Sequence, residues 1–168
     1  DIISRFPRDY YWMYLAMILM LFYLAMMAVV HQIVNTTRKH FTLIGLSFAI
    51  MSTLILCTDY FIQVSVIQQS LLAGETEGIS ILSQFNPHGI FIALEEIGFM
   101  FMVISFFCLT PAFSKNNSNQ RAIKWTSVIG MALTVVSIIS ISGVYGINRE
   151  YRFEVAVITI AWLELITI

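Results

Sequence analysis

Asp59, Glu95, Glu96, Glu154 and Glu164 all stand within strongly apolar stretches of the chain. A charged group at the centre of a bilayer costs roughly 2.5–3.5 kcal/mol on insertion scales, so such residues face a bundle interior, a base or water. The chemistry open to them is narrow. They can carry a proton, hold a cation, work as an acid–base pair with one carboxyl protonated and one ionised, or hydrogen-bond a neighbouring helix. Gln63 lies one turn from Asp59, and Ser52 and Ser70 continue the same helical stripe. Glu95 and Glu96 are adjacent, hence about 100° apart around a helix, and cannot share one face. Glu96 shares its stripe with Gly89, Ala93 and Met100. Small residues of that kind favour close packing, which makes one of the two acids a candidate structural contact.

Other chemistries find no support. The chain has no HExxH, no phosphate-binding glycine loop, no dinucleotide fingerprint and no GxSxG elbow. His88 reads as an interfacial residue, and His31 and His40 lie at helix ends, so no three- or four-ligand metal set converges. No metal and no cofactor are expected. Cys57 and Cys108 sit inside apolar runs and read as small core residues.

The elements that must position these acids are long and apolar. Of 168 residues, 58% are hydrophobic and 11% charged, against about 25% charged in a typical soluble domain. The net charge of -1 offers no basic face for nucleic acid. At 1.5 Å rise per residue, about 20 apolar residues cross a bilayer. The runs 10–34, 41–69, 87–113 and 123–147 reach that length. A fifth, 152–168, is shorter. The expected fold is therefore all-α, a single membrane-embedded bundle of about five transmembrane helices. Within the loop 70–86, Ile79, Leu82 and Phe85 recur at helical spacing, which predicts a short amphipathic segment and a possible lid. Asn86-Pro87 marks a helix start. Gly45 and Ala49 in helix two, and Ser137, Ser140, Gly143 and Gly146 in helix four, read as helix–helix contacts.

Lys and Arg orient the bundle. The loop 70–86 has none, so it is placed outside. Arg38, Lys39, Lys115, Arg121 and Lys124 then lie inside, against Arg5, Arg8, Arg149 and Arg152 outside. Asn35-Thr36-Thr37 and Asn116-Asn117-Ser118 match the glycosylation pattern, a short motif of little weight. Asp59 lies about 15 Å from the outer end of its helix, and Glu95 and Glu96 about 10 Å from theirs. Glu154 is near the outer start of helix five and Glu164 is deeper. Arg149 and Arg152 are the nearest bases, with Arg152 expected to snorkel toward a carboxylate.

Two stretches, NPHGIFIALEEIGFMFM (86–102) and NREYRFEVAVITIAWL (148–163), resemble prokaryotic multi-pass membrane proteins that have no assigned activity. The resemblance implies a bacterial or archaeal plasma membrane and carries no catalytic residue across. The reading the residues favour is a ligand site. Asp59, Gln63, Glu95, Glu96 and Glu154 would line an acidic cavity in the outer half of the bundle and bind a proton, a cation or a small amphipathic ligand. Two alternatives belong to other classes: an interaction or scaffold subunit whose acids meet a partner's Lys or Arg, and an acid–base enzyme acting on a lipid-like substrate. The lipid bilayer is the expected surrounding in each, and an oligomer is compatible with all three.

Overall fold

The computed structural model describes residues 8–113 and 117–168, apart from the side chain of Asp9. Arg5, Lys115 and Asn116, used above for orientation and the glycosylation pattern, lie outside the described residues. Among those described, all regular structure is helical: α1 Tyr11–Ile33, α2 Lys39–Ile62, a π-helical turn Gln63–Ile67, α3 Gln68–Ala73, α4 Ile79–Leu82, α5 Ile90–Leu109, α6 Ser118–Tyr145 and α7 Arg152–Thr167. Nothing in the sequence interrupts α2 until Gly74, so α2, the π turn and α3 form one continuous rod. Gly74 ends it at φ 75°, returning its N–H to the carbonyls of Ser70 and Leu71, a left-handed cap that glycine adopts without steric penalty. The expected surface segment is a single turn, α4, with Ile79 buried and Ile81 exposed.

Among the described residues, four helices are long and apolar enough to cross a membrane: Tyr11–Ile33, Thr36–Ala73, Ile90–Ala112 and Ser118–Tyr145. α7 has 16 residues, about 24 Å of helix. The outward faces are apolar too. Leu15, Phe22, Leu54, Ile139 and Val144 are all well exposed, and a contiguous surface of that kind needs lipid or protein against it. α5 is the central helix, 56% buried over its span, whereas α6 is only 17% buried and peripheral.

α5 meets α2 along the tightest seam in the bundle. Gly45 lies against the Ser105 carbonyl and Cys108, Ala49 is fully buried, Ser52 Oγ donates to the Gly98 carbonyl at 2.8 Å, and Leu56 covers Gly98 itself. The small residues at these crossings let the backbones approach, as the Gly45–Ala49 spacing implies. The same expectation does not hold for Ser140, Gly143 and Gly146 on α6, which face outward; a side chain at Gly143 would touch nothing within 4 Å. The inward stripe of α6 is Ser127, Gly130 and Thr134, continued by the partly buried Ile138 and Ile141. These larger apolar side chains claim the bundle face and turn the Ser/Gly stripe away from it. α1 packs on α2, and α7 on α5 and α6; α1 and α7 are not extensively packed on each other.

A methyl group at Gly98 would sit 2.6 Å from both Cγ and Cδ2 of Leu56. Gly98→Ala is expected to lower stability by about 1–3 kcal/mol, read as a fall in the thermal midpoint of detergent-solubilised protein. Leu56→Ala in the same chain should recover part of that loss, and strictly additive effects would show that the two residues do not share this contact.

Candidate functional site

The seam between α2 and α5 delivers Tyr60 to Glu95: the Tyr60 hydroxyl donates to Glu95 Oε1 at 2.7 Å, with both side chains buried. Around this pair three helices present residues at i, i+4 spacing, which places each set on one face. α1 contributes Trp12, Ala16 and Met20; α5 contributes Phe91, Glu95 and Phe99; α7 contributes Glu154, Ile158 and Trp162. Together with Tyr60 and Gln84 of the loop they enclose a hollow of about 250 Å³, the liquid volume of about eight waters. Each stripe spans eight residues, so the hollow is a slot about 12 Å long. It lies where α1 and α7 stand apart, floored by α2 and α5. Trp12 and Trp162 are 44% and 36% exposed at its margins.

The acid groups at the slot are incompletely satisfied. Glu154 is 8% exposed, and its Oε2 is buried without a hydrogen-bond partner. Its carboxyl also stands within hydrogen-bonding reach of Glu95. Trp12 meets Tyr60 edge to face with centroids 5.2 Å apart, and Tyr60 lies 6.1 Å from Phe91. Aromatic rings therefore flank the carboxyl end. Met20, Phe99, Ile158 and Trp162 make the other end apolar.

The remaining candidates occupy other places. Asp59 is buried, with Oδ2 unpartnered, and is near enough to Glu154 and Glu95 to act on them electrostatically, but it does not line the slot. Gln63 begins the π turn and reaches the loop: its Nε2 donates to the Leu82 carbonyl at 2.5 Å and its Oε1 accepts from the Gln84 N–H at 3.3 Å. It thereby fixes the loop residue that closes one end of the slot. A wide π turn at this point displaces the helix register just where that tether leaves. Asn86 supports the same loop, donating to the Ser80 carbonyl at 2.8 Å and accepting from the His88 N–H at 3.0 Å.

Glu96 points away from Glu95, as their 100° separation requires, and forms an ion pair with Arg149 in a separate depression that His88, Pro87 and Glu150 also line. Arg149 lies over the Phe153 ring at 5.5 Å. The base that reaches the buried carboxylate is therefore Arg149, not Arg152 as the sequence suggested. Arg152 instead pairs with Glu150 at 3.0 Å and lies over Tyr145, because it opens α7 on the exposed side of the turn. Glu164 is 1% exposed with neither carboxyl oxygen partnered; it sits deeper, against Gly130. Among the described residues, no group of three His, Cys, Asp or Glu side chains converges on a point.

The residues that sequence reasoning missed are Tyr60, Trp12, Phe91, Phe99 and Trp162. Their signal was available: an acid flanked at i±4 by aromatics on α5, and an acid eight residues before a tryptophan on α7. No known protein family, curated protein or solved structure matches the chain.

Two expectations follow from these contacts. Glu96→Gln removes the charge facing Arg149, which is one-third exposed, and should reduce stability by about 1–2 kcal/mol; in a double-mutant cycle with Arg149→Ala the two losses should overlap, and full additivity would mean that the ion pair contributes nothing. Gln63→Leu frees the loop, so amide exchange across residues 80–88 should accelerate at least tenfold while that of the α5 centre stays unchanged.

Proposed function

We propose that this chain is a multi-pass protein of a prokaryotic plasma membrane that binds a proton, a small cation or a small amphipathic ligand in an acidic cavity beneath the outer leaflet. Four membrane crossings come from the long apolar helices, and α7 makes the fifth. The absence of Lys and Arg from the loop 70–86 supports an outer-side location for the slot. The observation that carries the reading is the Glu154 carboxyl: more than nine-tenths buried, one oxygen without a partner, and directed into the same hollow as Glu95. A buried acceptor left unmatched costs about 1–3 kcal/mol, an expense that a bound cation or proton removes. Within this reading the candidate residues divide by role. Glu95 and Glu154 contact the ligand, Asp59 adds negative potential from behind, Gln63 sets the loop that closes the slot, and Glu96 holds the α5–α7 turn.

A structural role and a binding role for Glu154 predict opposite signs. Glu154→Met replaces an unmatched carboxyl with an apolar side chain of similar length, so the ligand-free protein should unfold at a higher temperature. The same variant should lose the thermal stabilisation that alkali or small organic cations give the unmodified protein, while Glu96→Gln keeps it. A Glu154→Met protein that is less stable without ligand, together with no cation stabilising the unmodified protein, would sink the proposal.

A further inference from the structure

The arrangement of the slot is more specific than an acidic cavity requires. Its two carboxyls are confined to one end. Glu154 stands on the first turn of α7 and Glu95, which accepts from the Tyr60 hydroxyl, on the second turn of α5. The walls of that end are the rings of Trp12, Tyr60 and Phe91. Roughly 12 Å along the helix axes the lining has become Met20, Phe99 and Trp162, with no ionisable group among them. The Oε2 of Glu154, buried and unpartnered, points to an occupant at the carboxyl end that is independent of the clustering of acids.

Aromatic faces attract cations through their quadrupole, and they do so best for weakly hydrated ammonium groups. A metal ion is a poor fit. Calcium takes six to eight oxygens and magnesium about six in near-octahedral geometry, and this end of the slot offers two carboxyls and one phenol that already donates its proton to Glu95. From this juxtaposition of carboxyls, aromatic walls and an apolar far end, we propose that the ligand is an amphipathic organic ammonium ion, its head between Glu154, Glu95 and the rings of Trp12 and Tyr60, and its short apolar tail against Phe99, Ile158 and Trp162. The proposal rests on the reading of the slot as a cation site and names the chemistry of its occupant.

The test uses the full chain solubilised in a maltoside detergent, with calorimetry and tryptophan emission as readouts and Trp125→Phe as background, since only Trp12 and Trp162 border the slot. The probes are hexyltrimethylammonium, tetramethylammonium, sodium, and the uncharged carbon isostere of hexyltrimethylammonium. Hexyltrimethylammonium should bind saturably and at least tenfold tighter than tetramethylammonium or the neutral isostere. Glu154→Gln and Glu95→Gln should each weaken it at least tenfold. Trp162→Ala should weaken the hexyl compound and leave tetramethylammonium unchanged, a split that a general loss of fold cannot produce; retained thermal unfolding cooperativity confirms that each variant is folded. Equal binding of the neutral isostere would overturn the ammonium assignment. Stabilisation by sodium or by protonation through Glu95 and Glu154, with no response to hexyltrimethylammonium, would overturn it and leave the acidic-cavity reading standing. No response to any probe would remove both.

Discussion

Close contact between α2 and α5 is the constraint on which the rest of this structure depends. Gly45, Ala49 and Ser52 on one helix and Gly98 and Ser105 on the other let two backbones meet with almost no side-chain volume between them. In an apolar solvent there is no hydrophobic drive to bring helices together, and van der Waals contact with interhelical hydrogen bonds must do so. The seam sets the rotation of both helices. Tyr60 is thereby turned onto Glu95, and Glu96, one position on, is turned away toward Arg149. α1 then attaches to α2 and α7 to α5, and the space left between α1 and α7 is the slot.

The chain has more buried carboxyls than bases to answer them, and it resolves the surplus unevenly. Glu96 has an arginine. Glu95 has a phenol and a second carboxyl. Asp59, Glu154 and Glu164 each keep at least one oxygen without a partner. These are different physical situations. A paired acid holds a turn in place; an unmatched acid costs the fold roughly 1–3 kcal/mol, which a ligand can return where the acid faces a hollow. Glu164 borders an apolar depression of about 180 Å³ with Gly130, Leu133 and Ile160, whereas Glu154 faces a hollow that also holds a second acid and aromatic walls.

Much of the architecture was legible in the residues. Long apolar runs separated by Asn35-Thr36-Thr37, by the polar loop 70–86 and by the turn 148–152 define the helices, because a helix satisfies its backbone hydrogen bonds within a single apolar segment. The pairing of Glu95 and Glu154 in one hollow was also within reach, since both stand one to two turns from helix starts at the same end. Rotation was not. Hydrophobic periodicity fades in helices that are apolar all round, so the sequence offers little to say that Glu95 faces the slot and Glu96 the turn, or that α6 presents Thr134 inward and Gly143 outward. Those outcomes come from where Leu56 settles on Gly98 and Glu164 on Gly130, long-range contacts that no local pattern encodes.

A gap bordered by two helices that scarcely touch has a consequence for handling the protein. In the membrane setting proposed above, its flank would meet acyl chains, and extraction would replace lipid with detergent at the walls of the slot. A maltoside brings an uncharged head. A phosphocholine detergent brings a trimethylammonium group on an alkyl tail, the chemical pattern proposed above for the guest. For such a guest the solubilising agent would be a competitor as well as a solvent, and occupancy would track its headgroup chemistry and its concentration.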